Sequence, residues 1–222
     1  LIWKGFTLDN WKNPCGAPEV CTALGNSIKI GLLATIFSTI LGTMIAFAIG
    51  RYAFKGRSSS NLLIFLPMAT PEIVLGASLL SLFLVFQINP GFWPTVIAHV
   101  MFCISFVVVT VKARIASLDP RLEQAAMDLY ANELETFRRV TLPLVAPGIA
   151  GAALLAFSLS FDDFIITNFN SGTLKTFPEF VYTSAARGIP AQANVIGSAM
   201  FILALLIVIA GQFVGKRVKV SK

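Results

Sequence analysis

Residues 117–148 read SLDPRLEQAAMDLYANELETFRRVTLPLVAPG. Asp119-Pro120 sets a capping acid ahead of a proline suited to the first helical position, which predicts a helix running to about Tyr130. Asn132, with Glu135 three residues on, has the spacing of a capping box and predicts a second helix, ended by Leu142-Pro143. Arg138 and Arg139 fall near its C-terminal end, where they suit the helix dipole. Ala125 and Ala126 present a small surface that another body can approach closely, and Leu129 and Phe137 offer apolar contacts. Two capped helices in one loop are built to dock a partner; the alternative is a structured linker that covers a membrane face.

Working outward, the loop lies between long uncharged runs. Ile73–Val111 precedes it and Val140–Phe161 overlaps its end; Ile30–Gly50 and Gly188–Gly215 are also free of charge. A helix needs about 20 apolar residues to cross the hydrocarbon. Ile73–Val111 is too long for one crossing, and Gln87-Ile88-Asn89-Pro90-Gly91 divides it. The pattern predicts an all-α integral membrane protein with five transmembrane helices, near Ser27–Gly50, Asn61–Phe86, Phe92–Lys112, Leu144–Thr167 and Asn194–Gly215. Composition agrees: 56% of residues are hydrophobic, 13% are charged and mean hydropathy is +0.79. Soluble domains carry about 25% charged residues.

The net charge of +6 has a positional cause. Arg51, Lys55 and Arg57 follow the first run; Lys112, Arg114, Arg121, Arg138 and Arg139 flank or occupy the loop; Lys216, Arg217, Lys219 and Lys222 end the chain. These twelve of the 17 lysines and arginines fall on one side if the spans alternate. The positive-inside rule then predicts an outside N-terminus and a cytoplasmic C-terminus, and nucleic acid is not the expected partner. Trp3, Phe6 and Trp11 suit a membrane interface ahead of the first run. The chain starts at Leu1 within this loop, so a further span is expected upstream, making six.

Several residues inside the spans carry chemistry. Pro67 and Pro71 predict a kink or break near Met68–Thr70, with Thr70 capping a new half-helix and Glu72 at its start. Asp162 and Asp163 follow an uncharged run at membrane depth, where one acid costs roughly 2.5–3.5 kcal/mol on insertion scales. They line a cation path with Glu72, or they are structural, capping a helix end or pairing with Arg187 or Lys175. Phe161, Phe164 and Tyr182 lie near them in sequence and offer cation–π faces. His99 is the one histidine and has no metal-spaced partner, so it reads as a packing or hydrogen-bonding residue; Cys103 reads as a small core residue. Cys15 and Cys21 pair as a disulfide if their segment is extracytoplasmic, or stand as two free thiols. No G-x-x-x-x-G-K-[ST] phosphate loop is present, so this chain is not expected to bind ATP itself.

The loop spacing resembles the signature E-A-A-x3-G-x9-I-x-L-P of bacterial ABC-importer permeases. It reads Gln124-Ala125-Ala126, three residues, Tyr130, nine residues, then Val140-Thr141-Leu142-Pro143. Gln124 replaces the glutamate, with Glu123 one residue early, and Tyr130 replaces the glycine. FLPMATPEIVLGASLL (65–80), SFVVVTVKARI (105–115) and FSLSFDDFIITNF (157–169) extend the resemblance over almost the whole chain, toward the second permease subunit of spermidine/putrescine importers. The resemblance implies a type I ABC-importer permease fold in which residues 1–222 form a single transmembrane domain. Residues 119–143 would be the coupling loop, with Gln124, Ala125, Ala126, Asp128, Leu129, Tyr130, Leu142 and Pro143 docking the ATPase. It also implies a multi-pass protein of the bacterial inner membrane, without a cofactor or a catalytic site of its own. Its partners would be a second permease subunit, an ATPase dimer, an extracytoplasmic solute-binding protein and membrane lipid. The path residues Asp162, Asp163, Glu72, Phe161 and Tyr182 would then face a polyamine. The alternatives are an importer permease for another solute and a proton- or ion-coupled transporter or channel. A membrane enzyme lacks a Ser/His/Asp or metal-ligand constellation.

Overall fold

The computed structural model describes residues 7–186 and 188–220, with side chains to 206 and at 209. Trp3, Phe6, Arg187 and the basic side chains of the tail, each given a role above, lie outside the described residues. The described elements are helical: α1 (Asp9–Lys12), α2 (Val20–Arg51), α3 (Arg57–Ala69), α4 (Glu72–Val85), α5 (Phe92–Ala116), α6 (Arg121–Asp128), α7 (Glu133–Thr136), α8 (Leu142–Asp162), α9 (Ile165–Asn170), α10 (Phe177–Ala185) and α11 (Ala191–Val220). A π-helical turn, Phe137–Thr141, joins α7 to α8. Among the described residues, three helices are long and apolar enough to cross a membrane: Val20–Arg51, Phe92–Ala116 and the continuous Glu133–Asp162. Ala191–Leu206 is a shorter apolar helix within α11.

The second expected span is two helices, α3 and α4, bent by 107°. Proline explains the break. Residue 70 precedes Pro71 and is driven to extended backbone, with ψ 132°. Thr70 does not cap α4 as expected. Its hydroxyl donates back to the Leu66 carbonyl at 2.7 Å and closes α3. Leu142-Pro143 does not end the second loop helix either. Pro143 sits in the first turn of α8, directly after the π turn. A proline there cannot donate to residue 139 and crowds its carbonyl, and the wider π turn relieves that crowding.

α2, α5 and α8 pack against one another and form the core. The contact face of α2 is a stripe of small residues: Ser27, Gly31, Ala34, Ser38, Gly42 and Ala46 are all buried. Lipid tails are as apolar as leucine, so membrane helices associate through close packing, and small residues permit it. A Cβ at Gly42 would lie 2.6 Å from Val107 Cγ1 on α5. The opposite face of α2 exposes Leu32, Ile36, Ile40 and Met44, as a helix in lipid requires.

At the end of the bundle away from the loop, Cys15 and Cys21 are joined in a disulfide with Cα atoms 5.4 Å apart. It folds residues 15–21 onto the start of α2, which begins at Val20 rather than near Ser27. Ala17, Val20 and Ala23 pack there with Phe180, Ala193 and Ile196. The Phe177 amide donates to Ser27 Oγ at 2.8 Å, and Lys175 pairs with Glu19 at 2.8 Å. Glu179, in the first turn of α10, is buried, and that burial raises its carboxyl above the ordinary 4.5. The folded chain therefore holds this proton more tightly than the unfolded chain. The resulting stabilisation is complete below pH 4.5 and is lost as pH rises through the higher folded value. Glu179→Gln is expected to flatten the melting temperature across that window, read by thermal melting in detergent against the parent.

Candidate functional site

The loop forms the first half of the site. Asp119 Oδ1 accepts from the Arg121 amide at 2.9 Å, so the acid caps the start of α6 as expected. The Asn132 capping box is complete: the Glu135 amide donates to Asn132 Oδ1 at 2.9 Å, and the Asn132 amide to Glu135 Oε2 at 3.2 Å. Between the helices Tyr130 takes φ 63°, the left-handed region that favours glycine. This explains why the signature has glycine there. The tyrosine pays for it without packing, since its side chain is 98% exposed. Tyr130→Gly is expected to stabilise the loop by about 1 kcal/mol, visible as a small rise in melting temperature; no rise would mean the turn is not strained.

Glu123 has the position nearest the displaced signature glutamate, and the structure gives it a role the spacing left open. Its carboxylate receives both guanidinium nitrogens of Arg51, Nη1 at 2.8 Å and Nη2 at 2.5 Å. The Thr141 hydroxyl donates to it at 2.5 Å. One carboxylate thus joins the end of α2, the loop helix α6 and the π turn. Phe137 packs edge-to-face on Phe47 of α2, with centroids 5.3 Å apart. A cavity of about 360 Å³ lies between these groups, lined by Arg51, Tyr52, Glu123, Met127, Glu133 and Thr136 among others. Arg51 and Thr141 escaped the sequence reading. The signal was an arginine closing an apolar run and an acid in the next loop on the same side. Outward from this tether the loop presents apolar groups: Leu129 is 81% and Leu134 74% exposed. Gln124, Ala125 and Asp128 are also exposed, and Ala126 is half-buried. Leu142 and Pro143 belong to the helix behind the loop.

The second half is the pair of broken helices. α8 ends at Asp162, and Asp163 turns to extended backbone, with ψ 128°. The Asp163 carboxylate then accepts from the amides of Ile166 at 3.3 Å and Thr167 at 2.8 Å, capping α9. It is 8% exposed. His99 of α5 sits against it, Nε2 to Oδ2 at 3.4 Å. His99 Nε2 is also 3.0 Å from Thr167 Oγ1, and Nδ1 is 2.7 Å from Ser160 Oγ. With the hydrogen on Nε2, every ring and hydroxyl group in this cluster has a partner. His99 is thus the hydrogen-bonding residue expected, and Asp163 has the capping role that was the alternative to a path residue. Asp162 remains exposed. α4 packs on α9 through Gly76, where a Cβ would lie 2.9 Å from Phe169, and Asn170 Nδ2 donates to the Gly76 carbonyl at 3.3 Å. The helices that follow the two breaks therefore pack on each other. Glu72 opens α4 and is exposed. Phe164 stacks on Tyr182 at 4.3 Å, and Phe161 stacks on Phe157 at 5.8 Å.

These placements separate the two acids. Asp163→Ala is expected to cost about 2 kcal/mol through the lost cap and the loss of the carboxylate beside His99, with a matching drop in melting temperature. Asp163→Asn keeps the cap and should cost less. Asp162→Asn should melt with the parent. A parental melting curve for Asp163→Ala would remove the cap assignment.

Apolar helices broken at Thr70 and Asp163, with a tethered loop that carries an apolar crown, fit a membrane transport subunit. The sequence profile of the binding-protein-dependent transport system inner membrane component family matches residues 27–220, and the chain belongs to this family. It is a multi-pass inner-membrane transport subunit. The chain is 33% identical to the spermidine/putrescine transport system permease protein PotC of Haemophilus influenzae, over 98% of this chain and 85% of that one. It is 33% identical to PotC of Escherichia coli K12, over 97% and 82%, and 34% identical to the putrescine transport system permease protein PotI of the same strain, over 89% and 73%. Among solved structures, a chain of the inward-facing MetNI methionine ABC transporter matches with a TM-score of 0.72 at 15% identity, over 88% of this chain and 94% of that one. A chain of a bacterial ABC transporter that imports alginate matches with a TM-score of 0.74 at 16% identity, over 96% and 85%. These place the fold among ABC-importer permeases.

Proposed function

We propose that this chain is a permease subunit of an ATP-driven importer for polyamines, spermidine or putrescine, working by alternating access. Residues 1–222 act as one transmembrane domain, oriented with the N-terminus outside and the C-terminus in the cytoplasm. The observation that carries the mechanism is the Glu123 tether. It makes the loop 119–143 a lever fixed to α2 and α8, with Ala125, Ala126, Leu129 and Tyr130 turned to a cytoplasmic ATPase dimer. Closure of the ATPase then pushes on α2 and α8 together. A second permease subunit completes the pore, and the outer segment around α10 meets the solute-binding protein.

The names of the relatives support the polyamine reading, and so does the chemistry at the breaks. Asp162 and Glu72 are exposed acids, and the Phe164–Tyr182 stack offers an aromatic face to an ammonium group. A proton-coupled mechanism would ask Asp163 to carry protons, yet its oxygens are engaged by two amides, a hydroxyl and His99. Co-purification tests the reading. An ATPase subunit is expected to come down with this chain, with spermidine or putrescine stimulating its hydrolysis, and Ala126→Glu is expected to release it or uncouple it. Full coupling in Ala126→Glu would remove the docking role; stimulation by an unrelated solute alone would remove the polyamine.

A further inference from the structure

A groove between α3 and α5 lies apart from the loop and from the contact between α4 and α9. Two cavities, of about 250 and 220 Å³, adjoin through Ile64 and Val108. The first reaches Ala116, Lys112 and Asn61; the second reaches Pro67 and Met101. Their walls are carbon almost throughout. From Met101 to Ala116 the groove follows α5 for about 22 Å at 1.5 Å per residue. One leaflet contributes roughly 15 Å of hydrocarbon, so the groove is long enough for an acyl chain.

One end of the groove is cationic. The Lys112 amine donates to Asn61 Oδ1 at 2.5 Å, and Asn61 Nδ2 donates to the Arg57 carbonyl at 3.0 Å. Lys112 is thereby held within a turn of the start of α3. That start has no side-chain cap, and Arg57, Ser58, Ser59 and Ser60 form its first turn. Among the described residues, Lys112, Arg57 and Lys55 take no part in an ion pair. A cation at the mouth of an apolar groove, beside the start of a helix, is complementary to a phosphate that carries an alkyl tail.

We propose that this groove binds one anionic phospholipid, with its phosphate at Lys112 and Arg57 and an acyl chain along Ile64 and Val108. A lysine amine near hydrocarbon is costly without a counter-charge, and the lipid phosphate supplies it. The site would couple the position of α3, and so the break at Thr70–Pro71, to the charge of the surrounding leaflet.

The test uses the assembled transporter, purified in mild detergent and examined by native mass spectrometry with added phosphatidylglycerol or phosphatidylcholine. The parent is expected to retain phosphatidylglycerol over phosphatidylcholine. Lys112→Gln should reduce that retention roughly 5-fold, and Lys112→Gln with Arg57→Gln roughly 30-fold, at about one surface cation's contribution per charge. Lys112→Arg should restore it. Millimolar inorganic phosphate should not displace the lipid, because it cannot fill the groove. Ile64→Trp, which narrows the groove and leaves both cations in place, should also lower retention. Equal retention by the parent and the double variant would overturn the proposal, as would displacement by inorganic phosphate. So would full-yield photo-cross-linking to the second permease subunit of Phe65→Cys labelled with a benzophenone maleimide, since the groove would then hold protein.

Discussion

Replacing Glu123 with alanine is expected to lower transport by at least about tenfold, within the usual range of a coupling free energy, while the chain still reaches the membrane. The carboxylate holds two guanidinium nitrogens of Arg51 and the Thr141 hydroxyl at once. Alanine leaves the half-buried arginine without its partner and frees the loop from both α2 and the π turn. Loss of charge-assisted bonds of this kind costs about 1–3 kcal/mol. That is a modest fraction of the stability of a helical bundle, but the loop is the one connection through which force would pass. Glu123→Gln keeps one acceptor and should fall between. Arg51→Ala should resemble Glu123→Ala, and the double variant should be little worse than either, because both remove the same contact. Uptake of radiolabelled spermidine, set against membrane abundance of each variant, reads the effect. Parental uptake by Glu123→Ala would show that the tether transmits nothing.

Leu129→Asp is expected to abolish ATP-dependent transport and leave the melting temperature unchanged. The two readouts separate because the side chain is 81% exposed. A structural role would move both. Leu134→Asp, at 74% exposure, should behave likewise. An apolar crown at the tip of a charged loop is unfavourable in water unless another surface covers it, and a buried unpaired carboxylate would cost several kcal/mol at that interface. ATPase retention on an affinity column with this chain checks the result. Retention of the ATPase by Leu129→Asp would move the docking surface elsewhere on the loop.

The spans and the loop were legible because their signals are local. Uncharged runs mark spans, and Asn132 with Glu135 marks a helix start three residues away. The register of the signature located the turn at Tyr130, and its positive φ accounts for the residue normally found there. The break at Thr70–Pro71 was legible from proline chemistry, though the direction of the Thr70 hydroxyl was not; a threonine between two helices can serve either end. What sequence did not disclose is pairing across distance. Arg51 and Glu123 lie 72 residues apart, and His99 and Asp163 meet only because α5 packs on the break after α8. The two acids at 162 and 163 look alike in sequence. Backbone geometry alone turns one inward as a cap and leaves the other exposed.

The most direct test of the central claim is ATP hydrolysis by the assembled transporter in lipid, with the solute-binding protein loaded with spermidine or putrescine. Hydrolysis is expected to rise with the loaded binding protein in parallel with polyamine uptake, and to lose that response in Glu123→Ala. Polyamine uptake that proceeds without ATP and follows a proton gradient instead would contradict the account.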